Sequence, residues 1–281
     1  MKKILSILLF SLFSIASQAN DVVVLVPGFF NAFAPDYFSK DIVHSFQKKG
    51  FRVYVIEGLN PIGTIEENGT RLIPQLQHIR KIETGKINII AHSAGGFYSL
   101  YAIQNGKVDI KNLVTISTPY LGLDFIQAWR NNSSLFTDLT NLASIEGLKQ
   151  LTPEYVANFA KNVRVPEALK IFTYGGWQPR SLDIWNAKNL SGVLRVTDHF
   201  IPGDSDGIVS FKSSLGIHGF LTKSNKSAKM FVDLNFTIPL EHWEQVLDYK
   251  NFILLGTRNI STIQDRQIRF YSQIADLVSK N

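Results

Sequence analysis

Continuous apolar runs alternate along this chain with segments of helical periodicity. The runs are rich in β-branched residues and occupy positions 22–26, 51–56, 87–91, 113–117 and 169–174. Short apolar runs without polar alternation are typical of strands buried on both faces of a sheet. Helical patterns at 36–49 and 64–82 separate the early runs and end near Gly50 and Gly85. The alternation predicts βα units around a mostly parallel sheet, which is the α/β fold class.

Residues 123–165 interrupt this alternation. Apolar residues recur there at helical spacing, and a threonine followed by proline marks a later helix start; the residues are Leu135, Leu139, Leu142, Ile145 and Thr152-Pro153-Glu154. The segment is predicted to be a helical insertion. Two interpretations stay open, ordinary helices that cover the sheet and a mobile cap or lid over a site.

The N-terminal segment has the pattern of a secretory signal peptide. Lys2 and Lys3 precede an apolar run over 4–15, and Ser17-Gln18-Ala19 has the small-x-small form of a cleavage site. We expect residues 1–19 to be removed, so that the mature protein is secreted and begins near Asn20. The alternative is an uncleaved anchor, but the run is shorter than the roughly 20 residues that span a membrane.

Composition indicates one large domain over 20–281. The 281-residue chain is 45% hydrophobic and carries a formal net charge of +6, which falls to +4 without the two leader lysines. The basic residues are scattered, which argues against a nucleic-acid partner. The chain has no cysteine, which excludes disulfides, thiolate metal sites and lipoprotein acylation, so the exported product is expected to be soluble. Composition gives no indication of oligomeric state.

The segment NIIAHSAGGF at 88–97 carries the candidate nucleophile. Ser93 lies between an apolar run and a helical pattern, with Ala91 and Gly95 two residues away on either side. A sharp strand-to-helix turn that displays a serine needs small residues at those positions. Ser93 is therefore predicted to be a nucleophile, whereas the neighbouring His92 is expected to help build the turn.

A serine nucleophile needs a base and an acid, which follow it in the chain order Ser, Asp or Glu, His. Three histidines come later, His199, His218 and His242. His199 precedes Asp206, the predicted acid, and His218 follows Asp206 closely with no clear strand between them. We favour His242, which follows an alternating run at 228–236 and begins the helix-like EHWEQVLDY; His218 remains the alternative.

The segment GDSDGIVS at 203–210 offers two acids, Asp204 and Asp206. Asp206-Gly207 forms a turn that returns to an apolar segment, where a carboxylate can accept an imidazole N–H. Asp206 is the predicted acid. For the oxyanion we expect the N–H of Ala94, after the nucleophile, and that of Phe29, in the VLVPGFF loop after the first strand.

These motifs together resemble the secreted bacterial triacylglycerol lipases of the α/β-hydrolase fold. The resemblance covers most of the mature chain and includes VLVPGFF, NIIAHSAGG, VTISTPYLGLDF, FTYGGW, SDGIVSFKSSLG and PLEHWEQV. It implies an α/β-hydrolase fold, a triad of Ser93, Asp206 and His242, and oxyanion donors at Phe29 and Ala94.

The chain departs from that family in three places. Pro27-Gly28 replaces the His-Gly of the oxyanion loop, and the disulfide that many relatives have near the acid is missing because the chain has no cysteine. Relatives hold calcium with two Asp, whereas this chain has Glu244 after the histidine and only Asp183 in the region of the other ligand; Asp248 is a further oxygen donor nearby. No cofactor is required by the predicted chemistry, and calcium and a dedicated foldase stay open.

The predicted function is hydrolysis of lipid carboxylic esters at an interface through an acyl-enzyme. A phospholipase A or an acyltransferase with the same triad is the first alternative. The others are a catalytically silent lipid-binding protein of the same fold and a peptidase. Acyl length and head group are not encoded in any motif of the chain.

Overall fold

The computed structural model describes residues 20–31, 36–126, 145–177, 192–221, 229–232, 239–248 and 260–281. Within these residues six strands form one parallel sheet in the order β2-β1-β3-β4-β5-β6. The strands are β1 (Val22–Val26), β2 (Arg52–Val55), β3 (Ile87–His92), β4 (Asn112–Ile116), β5 (Lys170–Tyr174) and β6 (Lys229–Val232). The predicted parallel sheet is therefore confirmed.

Helices follow most of these strands. They are α1 (Lys40–Gln47), α2 (Ile65–Ile82), α3 (Gly95–Gly106), α4 (Glu146–Lys149), α5 (Pro153–Asn162), α6 (Gly192–Asp198), α7 (Phe211–Ser214), α8 (Ile217–Leu221) and α9 (Ile260–Lys280). Side-chain caps mark where four of them, α1, α2, α5 and α7, begin. Helix α1 starts later than predicted because Ser39 Oγ accepts from the Ile42 N–H. Thr152 caps α5 in the same way, as the Thr-Pro-Glu motif predicted.

The strand side chains alternate between two cores, one on each face of the sheet. Val22, Val24 and Val26 pack in the core that includes residues of α2 and α3, whereas Val23 and Leu25 pack with residues of α1 and α9. All five residues of β1 are fully buried. Helices on both faces exclude water from the strands, so the apolar runs need no polar alternation.

The strand order changes direction at β1, because the second strand pairs on one side of β1 and the third strand on the other. Val26, the last residue of β1, lies level with Ala91 near the end of β3. Chain segments leaving the two strands therefore diverge and leave a crevice at the carboxyl edge of the sheet, where ligands bind in open α/β folds. This crevice is where the sequence places the nucleophile and the oxyanion loop.

Two segments differ from the sequence-based expectation. Helix α9 was not predicted, although it covers one face of the sheet. The segment EHWEQVLDY, expected to be helix-like, is a succession of turns over 242–247. Two helical bonds occur in it, from the Gln245 N–H to the Glu241 carbonyl and from the Leu247 N–H to the Trp243 carbonyl, but they are not consecutive, so no regular helix forms.

Several predictions concern residues outside the described ranges. These are the signal peptide at 1–19, the lid residues Leu135, Leu139 and Leu142, and Asp183. Ile145 is described and packs, half-buried, against the larger core. Among the helices of the described ranges, none is both long enough and apolar enough to cross a membrane.

Candidate active site

Ser93 lies in a sharp turn between β3 and α3, as the motif predicts. Its φ of +54° is unusual for a residue with a side chain. The Ser93 N–H donates to the Ile116 carbonyl over 2.8 Å, and its own carbonyl accepts from Thr118 Oγ1 over 2.8 Å. Hydrogen bonds to both main-chain polar groups of Ser93, from the end of β4 and from the Thr118 hydroxyl just after it, thus hold a strained conformation that turns the serine away from the strand.

Small residues around Ser93 allow other backbone segments to approach it. A Cβ on Gly95 would lie 2.6 Å from the Val26 carbonyl oxygen, and a Cβ on Gly28 would lie 2.7 Å from Ser93 Cβ. Real Cβ atoms do not approach other heavy atoms so closely, because at that distance the repulsion between overlapping atoms far exceeds their dispersion attraction. Glycine at these positions therefore lets the loop after β1 pack directly against the candidate nucleophile.

The loop after β1 holds the first predicted oxyanion donor. The Phe30 N–H donates to the Pro61 carbonyl over 2.7 Å, and Asn31 Nδ2 donates to the Gly28 carbonyl over 3.0 Å. The N–H groups of Phe29 and Ala94 make no hydrogen bond with another described residue. Both predicted donors thus remain available to an oxyanion beside Ser93.

Asp206 is fully buried, and four donors lie within 3.0 Å of its carboxylate oxygens. Oδ1 accepts from the N–H groups of Ile208 and Val209 over 3.0 and 2.8 Å. Oδ2 accepts from His242 Nδ1 over 2.8 Å and from Gln245 Nε2 over 3.0 Å. The local turn thus fixes one oxygen and leaves the other to orient the imidazole, as proposed for the Asp-Gly turn.

His242 is held twice by the Asp206 loop, through its ring and through its main chain. Its N–H donates to the Asp206 carbonyl over 2.9 Å, in addition to the ring bond. The ring centroid lies 4.5 Å from that of His92, the residue before Ser93. The structure therefore brings Asp206 and His242 together and places them next to the turn that carries Ser93, although no direct hydrogen bond joins Ser93 to His242 among the described residues.

The environment of Asp206 keeps its carboxylate ionised. Burial alone would raise the pKa of Asp206, but the charge of His242 and hydrogen bonds from His242, Val209 and Ser117 outweigh it and lower that pKa. An ionised, buried carboxylate favours the His242 tautomer whose proton is on Nδ1. That tautomer leaves Nε2 free to accept a proton from a serine hydroxyl.

Three polar residues near the site carry no signal in the sequence. Tyr37 donates to or accepts from His92 Nδ1 over 2.7 Å, Gln245 contacts Asp206, and Ser117 Oγ accepts from the Gly176 N–H over 3.0 Å. Ser117 has a φ of +51° at the end of β4. These contacts join segments far apart in the chain, so spacing could not reveal them. His92 also does more than shape the turn, since its ring packs on that of His242.

The other histidines and the other acid are placed differently. His199 is exposed after α6, and Asp204 is exposed and contributes its main-chain carbonyl to the Phe211 N–H. His218 lies in α8, and its side chain is outside the described residues. Among the residues whose side chains are described, only His242 contacts Asp206 through its ring.

The predicted calcium ligands do not assemble among the described residues. No group of three or more His, Cys, Asp or Glu side chains suited to a metal ion occurs there. A carboxylate oxygen of Glu244 accepts from the Glu241 N–H over 3.1 Å, so it closes a turn in the loop that carries His242. Asp183 lies outside the described ranges, and calcium binding therefore stays open.

Comparison with known proteins finds similarity to serine esterases and lipases. A family model described as "Putative serine esterase (DUF676)" matches residues 17–152. Triacylglycerol lipase 2 of Saccharomyces cerevisiae is 34% identical over 144 residues, which are 46% of this chain and 42% of the yeast protein. The chain thus matches less than half the length of that curated relative.

Solved lipases and esterases share the fold over most of the chain. The mature form of lipase BlEst2 from Bacillus licheniformis superposes with a TM-score of 0.60 at 20% identity, covering 86% of this chain and 94% of that one. The metagenomic carboxyl esterase MGS0156 gives 0.67 at 15% identity, with 94% and 76% covered. This chain has the α/β-hydrolase fold. In this fold a nucleophile elbow follows a central strand, which is the position of Ser93 after β3.

Proposed function

We propose that this α/β-hydrolase-fold chain is a carboxylic ester hydrolase acting on lipid esters, with Ser93, Asp206 and His242 as its triad. The observation that carries the proposal is the 2.8 Å hydrogen bond that His242 Nδ1 donates to buried Asp206, beside a serine at φ +54°. Three groups in these roles have no purpose in a protein that only binds lipid. Similarity to an esterase family and to a yeast lipase supports the same reaction class.

In the proposed reaction His242 Nε2 removes the Ser93 hydroxyl proton while Oγ attacks the ester carbonyl carbon. The N–H groups of Phe29 and Ala94 hold the resulting oxyanion. When the oxyanion collapses, the bond from carbon to the alcohol oxygen breaks, and His242 returns the proton to the leaving alcohol. Water then attacks the acyl-enzyme by the same route, releases the acid and restores Ser93.

Lipid substrates are favoured by apolar side chains exposed around the crevice. Phe30, Ile62 and Leu121 are each exposed by more than a third. They follow β1, β2 and β4 respectively, so they lie in loops at the carboxyl edge of the sheet, where Ser93 also lies. Exposed apolar groups that concentrate on one edge are suited to an apolar substrate or its interface.

We also propose that the protein acts outside the cytoplasm. The support is the segment 1–19, whose two lysines, apolar run and small-x-small end form the pattern of a secretory leader. The expected product begins near Asn20, and N-terminal sequencing of the exported protein tests this position. Recovery of the whole chain with Met1 in the membrane fraction would contradict cleavage.

A substrate panel tests the reaction class. Chromogenic esters of increasing acyl length, an emulsified triacylglycerol, a phospholipid and a peptide are offered to the purified protein and to Ser93→Ala. We expect hydrolysis of esters and triacylglycerol by the unmodified chain alone. Preferential release of fatty acid from phospholipid would move the assignment to a phospholipase A, and no turnover of any substrate would favour a binding protein.

A further inference from the structure

His92 is a second buried imidazole at the site, and the proposed reaction gives it no role. It is fully buried at the end of β3, and its ring centroid lies 4.5 Å from that of His242. Burial and the neighbouring His242 lower the pKa of His92 well below its usual range, although Asp206 acts in the opposite direction. The ring is therefore neutral and carries one N–H, so its effect depends on which nitrogen holds that proton.

The hydrogen bonds of Tyr37 determine which nitrogen of His92 carries the proton. The Gly28 N–H donates to Tyr37 Oη over 3.1 Å, and Oη lies 2.7 Å from His92 Nδ1. Among the described residues Nδ1 is the only acceptor within reach of the Tyr37 hydroxyl proton. If Nδ1 were protonated, that hydroxyl proton would be buried without a partner, which is costly. Tyr37 therefore donates to Nδ1, and the proton of His92 is on Nε2.

The Gln245 side chain is the candidate acceptor for the N–H of His92. Gln245 Nε2 contacts Asp206 Oδ2, the oxygen that also holds His242, and the ring of His242 packs on that of His92. Gln245 and the His242 main-chain carbonyl also raise the pKa of His92 against the effect of burial. His92 Nε2 and Gln245 Oε1 are also the buried atoms here that lack a partner at strict hydrogen-bond distance. If these two atoms moved slightly closer together, His92 Nε2–H would donate to Gln245 Oε1 and both atoms would have a partner.

Gln245 transmits this preference to the candidate acid. With Oε1 directed at His92, its amide nitrogen must be directed at Asp206 Oδ2, and it donates there over 3.0 Å. The reversed amide would place Nε2 against the N–H of His92 and Oε1 against a carboxylate, so that both contacts become repulsive. The His92 proton thus fixes the Gln245 orientation, and Gln245 fixes the oxygen that also holds His242.

We propose that His92 is a positioning residue, which acts with Tyr37 and Gln245 to hold the Asp206 carboxylate in the orientation that aligns His242. The proposal rests on the proposed esterase function for its kinetic consequence. The same chain of contacts also links the loop after β1 to the acid, because the Gly28 N–H donates to Tyr37. Oxyanion loop and acid are thereby linked by one series of polar side chains.

Two substitutions separate positioning from packing. His92→Gln keeps an N–H donor for Gln245 in a side chain of different shape, whereas His92→Phe fills the space with a ring but removes the donor. We expect His92→Phe to lower kcat on a soluble short-chain ester roughly 30-fold with little change in KM, and His92→Gln to stay within about threefold of the unmodified chain, as loss of one buried hydrogen-bond link implies. A packing role would reverse this order.

The dependence on Gln245 is tested by combining substitutions. Gln245→Leu alone should lower kcat at least as much as His92→Phe, and the double variant should fall no further than Gln245→Leu, since His92 then has nothing to orient. Tyr54→Phe is the control, because it removes a hydroxyl that donates to Glu83 over 2.5 Å, and Glu83 lies between α2 and β3, at the edge of the sheet opposite to Ser93. Thermal melts of all variants establish that they are folded.

The result can be distinguished from failure of the proposed function. The deshielded proton of the His242–Asp206 hydrogen bond, recorded by ¹H NMR, should shift or broaden in His92→Phe and be retained in His92→Gln, whatever the substrate. An active unmodified chain whose His92→Phe variant keeps its kcat and its resonance overturns the positioning role alone. An inactive unmodified chain that shows the expected resonance changes overturns the esterase function and leaves the positioning role standing.

Discussion

Replacing Asp206 by asparagine tests the candidate acid because both carboxylate oxygens face two donors each. Oδ1 accepts from the N–H groups of Ile208 and Val209, and Oδ2 accepts from His242 Nδ1 and Gln245 Nε2. In Asp206→Asn one of these positions becomes an NH₂ group, which cannot accept. The two orientations of the new amide therefore have different consequences.

An amide nitrogen directed at the turn would leave two main-chain N–H groups buried without acceptors, at about 1–3 kcal/mol each. An amide nitrogen directed at His242 costs less, because the imidazole can move its proton to Nε2 and accept at Nδ1. Of the four donors within 3.0 Å, only that of Gln245 then loses its acceptor. We expect the second orientation, a loss of about 1–3 kcal/mol in the free energy of unfolding, and an imidazole in the tautomer that cannot act as base.

The kinetic effect follows from that tautomer and is far larger than the effect on stability. Misprotonation of a triad histidine costs roughly 10⁴ in kcat, equivalent to about 5.5 kcal/mol of barrier. The assay compares kcat on a soluble ester and the urea midpoint for the unmodified chain, Asp206→Asn and Asp204→Asn. Asp204 is exposed and uses only its main-chain carbonyl, so its variant should match the unmodified chain. A folded Asp206→Asn that keeps more than a tenth of kcat would refute the assignment.

Ser93→Ala should keep the fold and lose roughly 10⁶ in kcat, and a fluorophosphonate label mapped to any other residue would contradict the nucleophile. His242→Ala should be inactive and His218→Ala active, and reversed activities would move the base to His218. Gly28→Ala places a Cβ 2.7 Å from that of Ser93 and 2.8 Å from the His92 carbonyl oxygen, so displacement of the donor loop should lower kcat roughly 10²-fold; unchanged kcat would show that the loop does not supply a donor. The folded state lowers the pKa of His92, so just below about pH 6.5 the unfolded chain binds a proton at His92 and the folded chain does not. As the pH is lowered through that range, the free energy of unfolding should therefore fall by up to about 1.4 kcal/mol per pH unit. Replacing His92 by glutamine should remove that part of the slope in denaturant melts between pH 7 and 5, and an identical slope would contradict a neutral buried ring.

The strands were predictable because burial on both faces of the sheet requires a continuous apolar run in the sequence of each strand. Every residue of β1 and β3 is buried, so each strand is a continuous apolar run that can be recognised without knowledge of its partners. Helix α9 also has a recognisable pattern in the sequence. Ile263, Phe270 and Ile274 recur near helical spacing and are buried against the sheet, but that part of the chain contains none of the catalytic motifs.

The ends of elements were less predictable because they depend on single contacts. Helix α1 begins at Lys40 because the Ser39 hydroxyl caps it, although the apolar pattern extends back to residue 36. The segment after His242 has the spacing of a helix, but it forms only two separate helical bonds, Gln245 N–H to the Glu241 carbonyl and Leu247 N–H to the Trp243 carbonyl, and otherwise consists of turns.

The site divides in the same way between local chemistry and distant contact. Ser93 was predictable because its strained turn requires small neighbours two residues away, and Asp206 because an Asp-Gly turn can hold a carboxylate; both requirements fall within five residues of sequence. Tyr37 contacts His92 across 55 positions and Gln245 contacts Asp206 across 39, so neither is marked by its neighbours. Yet these two side chains decide the proton position on His92 and the orientation of the acid. Candidates for reacting groups can thus be recognised from short motifs, whereas the groups that orient them are set by the topology that brings the ends of β1 and β3 to the loop of His242.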